Sequence, residues 1–308
     1  MELRHLRYFI AVAEEGSLSN AAERRLHTAQ PSLSRQIKDL EIELGVKLLE
    51  RKARGISLTL AGKVFLDHAR LVLMQIEAAA EAARHAEKPK RSAFVVGFLV
   101  GQEGTWMPHT LRILREEAPD VDIMLSSQTS PELALALMRG KVDVAFLRNE
   151  KQTSGIVFKH LIKEPLLVVV PTNHRLAVRK TIRPHELTRD KFISPAKAAP
   201  VLRAVVEDYA EKTGIKLKQT YDAENISAFM SLVESTGGIG LAPLYVRNML
   251  IPTVVTRPLQ GESPTIDLMM GYNKSNTTPL LKRFLARADE LVEHVSQKEN
   301  LQRRFKAS

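Results

Sequence analysis

Apolar residues in the first sixty positions recur with the period of short amphipathic helices. Leu3, Leu6, Ile10 and Ala13 fall at steps of three, four and three, which places them on one stripe of a helix. Gly16 and Ser17 end that helix. Ser17 is positioned to cap a second one, in which Ala21, Ala22 and Leu26 form a small-residue face that lets a neighbour pack closely. Thr28 is positioned to cap a third. There Leu33, Ile37, Leu40 and Leu44 make the buried stripe, and Pro31 falls in the first turn, where its missing N–H costs nothing. After Gly45 the pattern changes to Val46 to Arg51, a tip at Lys52-Ala53-Arg54-Gly55, and Ile56 to Leu60, the signature of a two-stranded wing. From 61 to 87 a single long helix is expected. Its apolar positions Phe65, Ala69, Val72, Ile76, Ala79, Ala83 and Ala86 alternate steps of four and three, a heptad seam about 40 Å long that calls for a partner helix. Pro89 inside the charged run 87–92 stops that helix and marks a linker.

Two short helices, a tight turn and a third helix make the layout of a helix-turn-helix, whose last helix enters the major groove. The face of the third helix opposite its apolar stripe carries residues suited to that role: Gln30, Ser34 and Lys38 spaced four apart, with Arg35 beside them and Pro31 and Ser32 in the first turn. Gln can bond adenine bidentately and Arg can take guanine O6 and N7, while Ser and Thr28 can serve bases or phosphates. Arg51, Lys52 and Arg54 in the wing sit where a phosphate backbone or minor groove would pass. A solvated turn is the plainer explanation for such a charge run. Its neighbourhood beside the recognition-like helix favours DNA.

Beyond residue 93 the pattern alternates between strands and helices. Strand-like 94–100 precedes a helix from about 107 to 117, 121–127 precedes a helix over 131–139, and 142–147 follows. A second set runs from 166–170 through helices near 199–212 and 225–236 to 239–242. Then 266–271 and a final helix over about 279–295 return to the first lobe. This alternation predicts a mostly parallel sheet and two α/β lobes with a ligand cleft at the strand ends. Candidate cleft residues are Gly101 and Gln102 after the first strand, Thr129 and Ser130 at a helix start, Arg148 and Ser194 at strand ends, and Asn225 and Ile226 opening another helix. Free N–H groups at helix starts favour anions, so a small carboxylate is the expected effector. Glu103 in the first loop points the other way, toward an amine or against a dianion. Thr129 and Ser130 could instead merely cap their helix, and Arg148 could pair with a carboxylate across the lobes.

The 308 residues suffice for two or three domains, and the net charge of +10 favours a polyanionic partner. Lys and Arg number 16 against 12 acidic residues before position 93 and 29 against 23 after it, so neither part is uniformly basic and local clustering decides. The absence of Cys removes disulfides, thiolate metal sites and cysteine nucleophiles, and the scattered His argue against zinc. No metal and no cofactor is expected. The apolar run 8–13 is too short for the roughly 7 to 15 residues of a signal-peptide core, and no stretch approaches the ~18 of a membrane span, so a cytoplasmic location with no membrane partner is expected. An enzyme on the two-lobed part is a rival reading, but no catalytic residue stands out. Gly237-Gly238-Ile239-Gly240 follows a helix and enters a strand, the reverse of a dinucleotide fingerprint. A secreted solute-binding protein is a second rival, disfavoured by the helix-turn-helix.

The residues together resemble the LysR-type transcriptional regulators over essentially the whole chain. The resemblance rests on Leu6-Arg7-Tyr8-Phe9, on Gly16-Ser17 with Ala21-Ala22, and on Gln30-Pro31-Ser32-Leu33-Ser34 with Ile37 and Leu40-Glu41. It continues in Leu44-Gly45, Leu48-Leu49-Glu50-Arg51, and Leu58-Thr59 with Ala61-Gly62. It implies an α+β multidomain chain. Residues 1–60 would form the winged helix-turn-helix and 61–92 a dimerisation helix and hinge. Residues 93–308 would form a two-lobed α/β effector domain like a type II periplasmic binding protein, with lobe I at about 93–164 and 266–308 and lobe II at about 165–265. The implied partners are double-stranded DNA at an interrupted palindrome, a small-molecule effector lined above all by Thr129 and Ser130, and further copies of the chain, a homodimer assembling to a homotetramer. RNA polymerase is left open as a further partner. Within the first fifty residues the resemblance leans toward regulators of aromatic-compound breakdown.

Overall fold

The computed structural model describes residues 1–52, 55–87, 93–151 and 153–295. Its internal contacts divide the chain into two units, Met1–Ala86 and Glu87–Ser308.

The first unit opens with α1 (Leu3–Glu15), a short α2 (Leu18–Asn20) that runs into a π-helical turn over Ala21–Leu26, and α3 (Gln30–Leu44). Ser17 caps as its sequence position suggests, its hydroxyl accepting the Asn20 N–H at 3.3 Å. Thr28 does not: the residue before α3 is Ala29, in extended conformation with no side-chain cap, and Pro31 alone marks the start. His27, at φ 48°, turns the chain between the two helices in the left-handed region, so a histidine stands where a glycine would be unstrained. Phe9, Val12, Ala21, Leu33, Ile37, Leu40 and Leu48 fill one core.

The wing is shorter than its sequence pattern indicates, with β1 (Leu49–Lys52) and β2 (Gly55–Leu58) paired antiparallel. It is tied at both ends. The Ile56 N–H donates to the Gly16 carbonyl at 2.8 Å, and a Cβ on Gly55 would lie 2.7 Å from the same oxygen. On the other side the buried Glu41 carboxylate accepts the N–H groups of Leu48 (2.9 Å) and Leu49 (3.1 Å) and the Lys47 ammonium (2.7 Å). Helix α4 (Leu60–Glu87) begins at once, its first turn capped by the Thr59 hydroxyl, which accepts from the Gly62 N–H at 2.9 Å and donates to the Lys47 carbonyl at 2.7 Å. Phe65 packs edge-on against Phe9 with ring centroids 5.2 Å apart, and Leu66 and Ala69 are buried. The first two positions of the heptad seam are therefore spent within the head itself. Val72, Ala79 and Ala83 are exposed and Ile76 is half-buried.

The second unit starts with β3 (Phe94–Leu99), α5 (Glu103–Glu117), β4 (Ile123–Gln128), α6 (Ser130–Met138) and β5 (Val144–Leu147). Helix α5 begins four residues before the sequence suggests, with Pro108 inside it rather than in its first turn. Next comes β6 (Ile156–Pro171), long enough to belong to both lobes. The second lobe adds β7 (Lys191–Ser194), α7 (Pro200–Lys212), β8 (Lys218–Asp222), α8 (Ile226–Thr236), β9 (Gly240–Pro243) and β10 (Val254–Pro258). The chain returns along β11 (Thr265–Asn273) and α9 (Pro279–Ala286), which turns at Arg287 and is helical again over 288–295.

The sheet order β10-β6-β11-β5-β3-β4, with β9 also on β6, corrects the expectation of a mostly parallel sheet. Among the described strand pairs, only β3 with β4 and β5, and β7 with β8, run parallel. Strands β6 and β11 are antiparallel to each other from Ile156↔Asn273 to Pro165↔Thr265, and β9 and β10 are antiparallel to β6. A parallel sheet needs a crossover between neighbours, and the return through two adjacent long strands supplies none. Lobe I buries Trp106, Phe98, Phe146 and Phe284 in its core, and lobe II buries Val168, Leu176, Phe192 and Leu241.

Glu41 gives a test of how the wing is held. Burial would raise its pKa, but the Lys47 ammonium and the two backbone donors outweigh this and hold it below the usual 4.5. A carboxylate so lowered stabilises the folded head above its unfolded pKa, and the contribution is lost as pH falls through the folded one. Glu41→Gln is expected to cost ~1–3 kcal/mol at pH 7, within the range for hydrogen bonds to a charged group. Hydrogen exchange at the Leu48 and Leu49 amides should accelerate at neutral pH, and the difference from wild type should disappear as pH falls through the lowered pKa of the Glu41 carboxyl.

Candidate functional sites: a recognition face and a lobe cavity

The buried stripe of α3 fixes what its other side shows. With Leu33 and Leu40 fully buried and Ile37 nearly so, Gln30, Pro31, Ser32, Arg35 and Lys38 are exposed, and Thr28 and Ser34 are half-buried. The Arg35 side chain is 84% exposed, 4.0 Å from Asp39, too loose an ion pair to occupy it. The face is thus a set of unspent donors on a helix whose position is fixed from below. Glu14 braces it further back, bridging Arg25 and Arg70 and so linking α1, the π-helical turn and α4. The backbone of Arg51 and Lys52 lies in β1, whereas Arg54 falls outside the described residues.

The second unit encloses a cavity of about 120 Å³ between its lobes. From lobe I it is lined by Leu99, Val100, Thr129, Ser130, Arg148 and Glu150; from lobe II by the segments 195–202 and 223–229 and by Pro243 and Tyr245. Helices α6, α7 and α8 all begin on this wall, and their N-terminal dipoles favour negative charge there. Asn225 caps α8 by accepting the Ala228 N–H at 2.9 Å, and Ile226 follows it on the wall. Helix α7 has no side-chain cap.

Arg148 is the centre of the site. Its Nη1 forms an ion pair with Glu164 Oε2 at 2.8 Å and donates to the Asp267 carbonyl at 3.0 Å, while its Nη2 is buried with no partner among the described residues. Its guanidinium carbon lies 6.0 Å from the centroid of the Tyr245 ring, a weak cation–π contact. Burial pushes the Tyr245 hydroxyl up to about 12, with Arg148 opposing, so it stays a neutral donor. Glu164 is buried and also accepts from Gln102 Nε2 at 3.2 Å, and Gln102 Oε1 accepts the Trp106 indole N–H at 3.1 Å.

These contacts sort the candidate residues. Thr129, Ser130, Arg148, Asn225 and Ile226 line the cavity. Gln102 does not: it is turned inward, spent on Glu164 and Trp106. Gly101 packs against lobe II, where a Cβ would lie 2.6 Å from the Tyr245 ring. Ser194 is buried just short of the wall formed by Pro195 and Ala196, and its hydroxyl meets no partner among the described residues. Nor are the Thr129 and Ser130 hydroxyls free donors. Thr129 gives its proton to Glu132 at 2.7 Å, and Ser130 accepts the Arg148 N–H at 2.8 Å while hydrogen-bonding the Glu150 carboxyl. Glu103 binds Ser127 and the Gly101 N–H at 2.7 Å, away from the cavity. The acidic group on the wall is instead Glu150, two residues beyond Arg148 on the same strand exit. Glu224, exposed at the rim, is a second.

Among the described residues no cluster of three acidic or histidine side chains is placed to hold a metal ion, and no helix is long and apolar enough to cross a membrane. The family model for the bacterial regulatory helix-turn-helix protein, lysR family, matches residues 3–63, and that for the LysR substrate binding domain matches residues 88–292. The chain is 36% identical over 302 residues to the Hca operon transcriptional activator HcaR of Escherichia coli (strain K12), covering 96% of this chain and all of that protein. It is 32% identical over 286 residues to the HTH-type transcriptional regulator AlsR of Bacillus subtilis (strain 168), covering 92% of this chain and 94% of that one. A crystal structure of full-length CbnR complexed with its target DNA superposes with a TM-score of 0.56 at 27% identity, covering 95% of this chain and 100% of that chain. With both family models matched in order and full-length relatives above 30% identity, the chain belongs to the LysR family of transcriptional regulators and carries an effector-binding domain behind its helix-turn-helix.

Proposed function

We infer that this regulator responds to a small carboxylate held in the lobe cavity. The observation that carries the reading is the Nη2 of buried Arg148, a charged donor with no acceptor among the described residues on a wall where three helices begin. A buried donor left unpaired is costly, and an incoming carboxylate relieves that cost while gaining a charge-assisted hydrogen bond. The remaining wall, including Leu99, Val201, Leu202, Ile226 and Phe229, suits a compact apolar body, and a ring fits that chemistry. Contacts from both lobes favour the closed arrangement, so binding biases lobe closure and through it the binding of DNA, by ~1–3 kcal/mol if the coupling is ordinary.

On DNA, α3 lies in the major groove with Gln30, Ser34, Arg35 and Lys38 toward base edges and Thr28, Pro31 and Ser32 near the backbone. Arg51, Lys52 and Arg54 of the wing meet phosphates or the minor groove. The apolar stripe of α4 from Val72 through Ile76, Ala79 and Ala83 pairs two copies, and dimers assemble into tetramers on an interrupted palindrome. A protein that reads chromosomal DNA acts in the cytoplasm.

In titrations against the sequence upstream of its own gene, Arg35→Ala is expected to weaken binding by ~1–3 kcal/mol and relax base preference. Arg54→Ala should weaken cognate and scrambled DNA alike. Val72→Asp with Ile76→Asp should shift the mass measured by light scattering from an even-numbered assembly to the monomer. For the cavity, a monocarboxylate at 100 times its Kd should stabilise the protein by about 2.7 kcal/mol in thermal scans. Arg148→Ala strands Glu164 and should itself cost ~3–5 kcal/mol. The double variant Arg148→Met with Glu164→Gln avoids that stranded charge and is expected to fold while losing the carboxylate response.

A further inference from the structure

The cavity wall holds a second unspent polar atom. Glu150 Oε1 is buried and accepts no hydrogen bond among the described residues, while the Ser130 hydroxyl serves the carboxyl group. Arg148 and Glu150 leave β5 two positions apart, Ser130 contacts both, and both line the same cavity. A ligand that satisfies Arg148 Nη2 through its carboxylate thus lies against an acceptor that also lacks a partner.

We propose that Glu150 sets the chemical class of the effector: a monocarboxylate that carries a hydroxyl group, its carboxylate on Arg148 and its hydroxyl donating to Glu150. The proposal rests on the carboxylate reading above and narrows it.

Charge excludes one alternative. Glu164 already balances Arg148, and Glu150 and Glu224 both add negative charge to the wall, so a dicarboxylate would place its second anion among like charges. Solvation weighs against another. An ammonium donor would have to shed its water beside Leu202, Phe229 and Leu241, whereas a hydroxyl sheds little. Burial also raises the Glu150 pKa, with Ser130 and Arg148 opposing.

Calorimetric titration of the full chain with matched acids tests this. The probes are benzoate with its 2-, 3- and 4-hydroxy derivatives, butanoate with 3-hydroxybutanoate and the alkylammonium acid 3-aminobutanoate, and isophthalate. At least one hydroxy acid should bind tenfold or more tightly than its parent, and the amine and the diacid more weakly than that hydroxy acid. In Glu150→Met, and independently in Glu150→Ala, the preference of hydroxy acid over parent should shrink to within twofold. Equal binding of parent and hydroxy acid by the wild type, or a preference for the amine or the diacid, overturns the proposal and leaves the carboxylate reading standing. So does a preference that survives both substitutions. Failure of every acid to bind overturns the carboxylate reading and this proposal with it.

Discussion

A buried guanidinium governs the effector domain. Taking Arg148 out of water is tolerable only because Glu164 and the Asp267 carbonyl receive one of its nitrogens, and those partners lie on the two strands that run between the lobes. Gln102 and Trp106 then fix Glu164, and Ser130 fixes the Arg148 backbone. The polar groups that a sequence reading assigns to ligand are therefore mostly occupied in holding one another. What they hold is a buried cation whose Nη2 meets no partner among the described residues, in the lining of a mainly apolar chamber. Preorganisation of this kind would lower the entropic cost of the binding proposed above.

The head follows a similar economy with different chemistry. The apolar stripe of α3 and the Glu41 carboxylate together determine where the exposed residues Gln30, Arg35 and Lys38 stand, and neither reaches outward itself. Phe65, Leu66 and Ala69 bury the start of α4 against or beside this core, so the exposed part of its heptad seam begins at Val72.

Much of this was legible in the chain because the signals were local. Helical periodicity located α1, α3 and α4 and both α7 and α8 within a few residues, and Ser17 and Asn225 cap where their types suggest. What escaped depends on distant partners. The first half of β6 ends in Lys163-Glu164-Pro165, which looks like a loop until β11 is seen beside it. All five residues of β8 are exposed, and β10 pairs only with β6, so neither carries a strong alternating pattern. Thr28 fails as a cap because the helix starts one residue further on than its spacing implies. Gln102 and Ser194 sit at the right strand ends, but their side chains turn behind the wall, and Gly101 is closed off by the Tyr245 ring. Glu150 was within reach, since the reasoning that selected Arg148 at the exit of β5 applies equally two residues later.

The two strands that carry the chain between the lobes are hydrogen-bonded to each other along Ile156–Pro165 and Thr265–Asn273, with one irregularity between Leu268 and Met269. Such a ribbon resists shear and stretching far more than it resists twist. Under the proposed closure the lobes would turn about this ribbon, which would act as a torsion spring whose rest angle the effector resets.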